Sequence, residues 1–188
     1  SSEEYEPDAF SIASNDMFKA YSKNLYGDET KANPYHYGHM PEVTVNPDGT
    51  GSIKKHFCMG RISHELVQVM PDQRTALIGD DATNSAYFVF VADKEKDLSS
   101  GTLYVAKVGS GFSIDPSANS SAALTWIKMG SATSAEIEQL ANTLKPTDIM
   151  TVVSKDPADA SYTKIVANGK TEWIKLNPGM EKAAAFLE

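Results

Sequence analysis

Acidic residues, one histidine and one arginine collect at the corners of a single stretch, Gly60 to Val108. It opens with Gly60-Arg61-Ile62-Ser63-His64-Glu65, runs through an apolar segment to Gly79-Asp80-Asp81, and closes on Gly101-Thr102-Leu103-Tyr104-Val105-Ala106-Lys107-Val108. Asp80 and Asp81 are adjacent carboxylates, which repel unless positive charge sits near, so a hard cation with oxygen ligands suits them. The alternative is a plain turn, which Asp favours through bonds to its own backbone. Glu65 offers a third carboxylate, either a metal ligand or a solvated residue opening a strand. In a regular strand His64 and Glu65 face opposite sides, so only one of them reaches a given site unless the chain bends. His64 could support a metal ligand, touch a phosphate or protonate a leaving oxygen; the plainer role is a satisfied structural histidine. Arg61 could hold a phosphate bidentately, but a surface arginine, or a link tying its loop to Asp80, is the favoured reading.

Other candidates are weaker. Glu3 and Glu4 would add ligands if the amino end folded inward, and chain ends are expected to be loose. His36, His39 and Glu42 fit no zinc spacing and read as structural. Cys58, between Phe57 and Met59, reads as a buried free thiol rather than a metal ligand. There is no Gly-x-Ser-x-Gly elbow, Walker A loop or EF-hand spacing, and Gly109-Ser110-Gly111 follows no dinucleotide pattern. Without a metal the residues offer no catalytic set.

The elements that must position these groups are mostly strands. Asn15 to Leu25 reads as a helix with Met17, Phe18, Tyr21 and Leu25 on one face, closed by Gly27. Met40 to Val45 and Ser52 to Phe57 form strands around an Asp48-Gly49 turn. Leu66 to Met70, Arg74 to Ile78, Ser85 to Ala92, Leu103 to Val108 and Leu124 to Met129 follow as strands. The third of these is apolar on both faces and should lie between layers. Thr133 and Glu136 form a capping box ahead of a helical stripe, Ile137, Leu140, Ala141 and Leu144, which Pro146 stops. Strands are expected at Ile149 to Val153, Tyr162 to Ala167 and Thr171 to Leu176, the last two turning at Asn168-Gly169. Asn177-Pro178 should start a final helix that runs into the chain end.

The fold class this implies is all-β with a few inserted short helices. The 188 residues carry 41% hydrophobic side chains and a formal charge of −8, with pI about 5.0. That is a globular composition with no basic cluster, which argues against nucleic acid as a partner. No apolar run is long enough to span a membrane. Cys58 is the only cysteine, so no disulfide can form within the chain. The opening Ser1-Ser2-Glu3-Glu4 is neither a leader peptide nor an initiator start, and it reads as a processed or excised beginning.

Taken in order, Tyr37-Gly38-His39-Met40-Pro41-Glu42-Val43, Lys54-Lys55, the Gly60–Glu65 run, Gly79-Asp80-Asp81 and the Gly101–Lys107 run resemble the PhoX-type alkaline phosphatases. Ser-Ser-Glu-Glu is similar to the end of that family's Trp-Leu-Thr-Cys-Glu-Glu signature. The resemblance covers residues 1–108 well and is looser beyond, resting there on Thr171-Glu172-Trp173-Ile174-Lys175-Leu176. It implies a β-propeller phosphatase, exported from a bacterial cell to the periplasm or beyond, with calcium and iron at a central site. Here it implies a partial propeller of about three to four blades at about 40–45 residues each.

On the same grounds residues 1–36 are an irregular and helical lead-in, 37–129 the best-matching propeller part and 130–188 looser strands and helices, all one domain and a piece of a longer propeller. The metal ligands it implies are Glu4, Glu65, Asp80 and Asp81, with Arg61 and His64 as supporting catalytic groups and a phosphate ester as substrate. The family's iron-bridging cysteine falls where Ser2 stands, and serine is a much poorer iron ligand than thiolate. Two functions therefore compete: a metal-dependent phosphoester hydrolase, expected to be inactive as an isolated piece, and a non-catalytic propeller fragment with structural calcium or a partner-binding surface. Exposed strand edges further suggest association between copies.

Overall fold

The computed structural model describes residues 2–82, 85–109, 121–167 and 169–188. Ten strands lie in three antiparallel sheets, joined by short helices, and no closed barrel is present among the described residues. The all-β expectation with inserted helices holds.

Strands β1 (Met40–Val45) and β2 (Gly51–His56) form a hairpin pairing Met40 with His56. Its turn is held by Asp48, whose carboxylate accepts from the Thr50 N–H and hydroxyl. The central sheet is a meander of β3 (His64–Val69), β4 (Thr75–Asp80), β5 (Tyr87–Lys94), β6 (Asp97–Val108) and β7 (Leu124–Thr133), each paired with the next. β5 is its middle strand, with Val89, Phe90 and Ala92 buried. Its first residue, Tyr87, is exposed, so the covering layer reaches only part of the strand. A third sheet runs β8 (Met150–Val153), β10 (Lys170–Leu176), β9 (Thr163–Ala167). Of the turn expected at Asn168-Gly169, Asn168 lies outside the described residues, as do Ser110 and Gly111.

Helix α1 (Asp16–Tyr26) is capped by Asn15, which accepts from the Phe18 N–H, and closed by Gly27 at φ 75°. Its inward face is Phe18 and Ser22, while Met17 is 79% exposed, so the apolar stripe is narrower than its spacing suggests. Helix α2 (Ser134–Thr143) carries the expected capping box of Thr133 and Glu136. It ends before Pro146, which instead opens the short α3 (Pro146–Ile149); a proline without an N–H is well placed in a first helical turn. Helix α4 (Glu181–Leu187) starts later than Asn177 would allow as a cap. The Asn177 side chain instead donates to the carbonyls of Thr147 and Asp148, tying that segment to α3.

One face of the central sheet is covered by α2, α4 and a tight 3-10 turn at Phe57–Met59. Ile78, Phe90, Leu103 and Ala132 from the sheet meet Phe57, Met59, Ile137, Ala141, Phe186 and Leu187 in one core. Gly130 makes that approach possible, since a Cβ there would lie 2.9 Å from the Phe186 ring. The covering elements pack mainly on β6 and β7, while the acidic corners gather at the β3–β4 end of the sheet.

Candidate metal centre

The amino-terminal segment is docked, contrary to the expectation of a loose end. Glu3 donates its N–H to the His39 carbonyl (3.2 Å) and accepts from the His64 N–H (3.1 Å), so the segment is held between the backbone at His39 and at His64. The Ser63 hydroxyl donates to the Glu4 carbonyl at 2.7 Å. The Glu3 carboxylate accepts from the His39 N–H (2.9 Å) and pairs with Lys55 (2.7 Å). Neighbours on an extended chain face opposite ways, so Glu4 is turned outward by the bonds that hold Glu3 inward.

Glu65 reaches the same place because β3 is irregular there. His64 pairs with Asp80 and Leu66 with Gly79, leaving Glu65 as the extra residue of a bulge. Bulges bend a strand and re-aim a side chain; here His64 is buried and Glu65 exposed, so of the two only Glu65 reaches the site. Asp81 continues past β4, its N–H donating to the Ser63 carbonyl at 3.0 Å. The outcome is a trio, Glu4, Glu65 and Asp81, in which one carboxylate oxygen from each residue lies within 4.8 Å of the other two. All three residues are exposed, and among the described residues none of the carboxylates has a hydrogen bond or ion pair.

Asp80 is not one of the trio. Its Oδ1 is buried without a partner. Burial raises its carboxyl above the ordinary range, the amides of Ser63 and Ala86 pull it back, and the charge of Asp81 raises it again. Glu6, a residue the sequence did not single out, behaves alike: burial raises its carboxyl and the Asp80 charge adds to the rise. Its only sequence signal is a position two residues beyond Glu4 on a segment whose docking was not foreseen.

Arg61 is buried and neither lies on the surface nor links to Asp80. Its guanidinium donates to the carbonyls of Tyr37 (3.1 Å), Leu187 (3.1 Å), Pro34 (3.4 Å) and Pro7. It joins the amino-terminal lead, the Pro34–Tyr37 segment and the end of α4. His64 is fully buried; its Nε2 lies 3.1 Å from the Gly60 carbonyl and its Nδ1 has no partner. Burial pushes its imidazole down to about 4, so it is neutral at ordinary pH, and its one N–H is spent on the Gly60 carbonyl. His39 repeats the arrangement, with Nε2 2.9 Å from the Tyr35 carbonyl and the ring pushed down to about 3 by burial.

The remaining candidates lie apart. His36 meets Asn142, while Glu42 meets His56 at 2.6 Å, so His36, His39 and Glu42 form no zinc set. Cys58 is buried, donating to the Leu98 carbonyl and accepting from the Ser134 hydroxyl, and burial pushes its thiol up to about 11.

The trio supplies only hard carboxylate oxygens, which fits calcium. A thiolate-bridged pair of irons does not fit: Ser2 carries no thiol and Cys58 is engaged in the core.

A family model described as Alkaline phosphatase PhoX matches residues 1–187, including the part beyond residue 108 where the motifs are loose. No curated protein and no solved structure matches the chain.

Proposed function

The chain belongs to the PhoX alkaline phosphatase family, and we propose that it is the metal-holding part of a phosphoester hydrolase whose cation sits on Glu4, Glu65 and Asp81. The observation that supports this is the trio itself: three carboxylates brought together by a docked end, a bulge and a strand exit, with no partner among the described residues. Mutual repulsion makes such a grouping costly unless a cation relieves it. A hard cation held there would neutralise phosphate oxygens and polarise phosphorus. Asp80 backs the site as a further carboxylate ligand. Arg61 and His64 act by position: Arg61 secures the docked segment that carries Glu4, and His64 braces the bulge that presents Glu65. Calcium is the ion proposed. The three sheets are taken as parts of a propeller wall, and export to the periplasm follows from the same family reading.

A second reading, structural calcium without catalysis, is favoured by one observation. Arg61 and His64 are buried and engaged with backbone, so neither adds an acid, a base or a phosphate clamp to the trio.

Elemental mass spectrometry of the desalted chain tests both. Calcium near one equivalent, lost on Glu65→Ala or Asp81→Ala, supports a site at the trio; folded protein free of calcium sinks it. Turnover of a chromogenic phosphate ester then separates the two readings. Little is expected from this chain alone, and turnover abolished by Glu65→Ala would establish hydrolysis within it. Strand-edge association between copies belongs to the same proposal, and light scattering showing a clean monomer removes it.

A further inference from the structure

An apolar cleft of about 510 Å³ lies between the docked segment and α1, lined among others by Glu4, Tyr5, Met17, Phe18, Tyr21 and Tyr37. Glu4 is thus common to the cleft and to the acidic trio. The aromatic walls are fixed against one another. Tyr37 meets Phe18 edge-on at 5.7 Å and Tyr21 at 5.4 Å, and its hydroxyl accepts from that of Tyr21 at 3.2 Å. Met17 and Tyr5 leave 79% and 54% of their surface open, and Tyr21 42%. These open apolar surfaces line one cleft rather than standing singly, the arrangement that marks a binding groove. The cleft volume is in the range of small-molecule sites, and pre-set ring edges favour a flat aromatic guest.

We propose that the cleft seats an aromatic organic group of the phosphate ester whose phosphate is held by a cation on Glu4, Glu65 and Asp81. This rests on the metal-site reading above. A phosphate joined to Glu4 through that cation brings its organic part within reach of the cleft that Glu4 also lines, where Tyr5, Met17 and Tyr21 stand. A small polar alcohol would leave these surfaces wet, whereas an aryl group removes them from water. Discrimination therefore comes from apolar burial and ring contact, with Tyr21 and Met17 as the residues that set specificity.

The test is binding of two non-hydrolysable probes, naphthylmethylphosphonate and methylphosphonate, to the full chain in excess calcium, with bound calcium quantified in the same samples. The naphthyl compound should bind about tenfold more tightly. Tyr21→Ala should bring the ratio to within about twofold, and Met17→Gln, at an open helix position that does not carry the core, should lower it about threefold. Equal affinity for the two probes on calcium-loaded protein overturns the cleft proposal alone. So does a preference unchanged in both variants, or binding of naphthylmethanol as tight as that of the phosphonate. Protein that holds neither calcium nor either phosphonate overturns the metal reading, and the cleft proposal falls with it.

Discussion

The docked amino-terminal segment has a closed side and an open side made from adjacent residues. On the closed side Glu3 is satisfied by His39 and Lys55, Arg61 by backbone carbonyls, and the Nε2 atoms of His39 and His64 by carbonyls four residues earlier. On the open side Glu4, Glu65 and Asp81 have no partner among the described residues. Residue type does not separate the two sides, since both carry acids. What separates them is whether the backbone supplies the partner, and acids left without one are where an outside charge is wanted.

Breaking the closed side should cost stability whatever the metal. The largest effect is expected from Arg61→Met, which leaves the carbonyls of Pro7, Tyr37 and Leu187 buried without their donor. A loss of about 3 kcal/mol is expected, read by chemical denaturation in chelator and in calcium alike. Destabilisation confined to calcium-loaded protein would place Arg61 on the open side instead.

Next in size is the pH effect of the buried histidines. Their folded-state values, about 3 for His39 and about 4 for His64, lie below the ordinary 6.5. The unfolded chain therefore binds more protons below pH 6.5, so their contribution is complete above that pH and is lost as pH falls towards the folded values. Each histidine should weaken the folding equilibrium about tenfold per pH unit in that window. Glu6, Asp80 and Glu188 are raised by burial and act in the opposite sense, favouring the fold as they take up protons. Comparing wild type with His39→Asn isolates the imidazole: denaturation midpoints at pH 7.5 and 5 should diverge less in the variant, and equal slopes would show that His39 does not titrate on unfolding.

Much of this division was legible in the residues and part was not. Thr133 and Glu136 announced their capping box, and Asn15 and Gly27 the ends of α1, because caps are local chemistry. Glu65 and Asp81 were candidates from type and position. Their meeting with Glu4 depended on a bulge and on long-range backbone bonds from Glu3 to His39 and His64, which no local pattern records. Arg61 was misjudged for the same reason: its partners are Pro7, Pro34, Tyr37 and Leu187, scattered along the chain. Pro146 marked the end of α2 correctly but also opens α3, since proline suits a helix start as well as an end.

On the open side the effect should appear in metal affinity. Glu65→Ala and Asp81→Ala should each weaken calcium binding at least about tenfold in a calorimetric titration. Metal-free protein should keep its thermal midpoint or gain slightly, because one member of a repelling trio is gone. A fall in the midpoint of the metal-free variants would mean that these carboxylates hold the corner together themselves.

The smallest expected effect sharpens the contrast, because it concerns an acid at an ordinary corner. Asp72 accepts from the N–H groups of Arg74 and Thr75 and from the Thr75 hydroxyl, and these bonds hold its carboxyl below the usual range. Asp28, Asp48, Asp97 and Asp159 do the same with a Thr or Ser two residues on. If Asp81 were only another turn residue, Asp72→Ala and Asp81→Ala would behave alike. The prediction is that they cross: Asp72→Ala lowers the thermal midpoint slightly and leaves calcium affinity unchanged, whereas Asp81→Ala does the reverse. Matching losses of midpoint in both, with calcium binding intact, would return Asp81 to the turn acids and leave Glu4 and Glu65 without a third ligand.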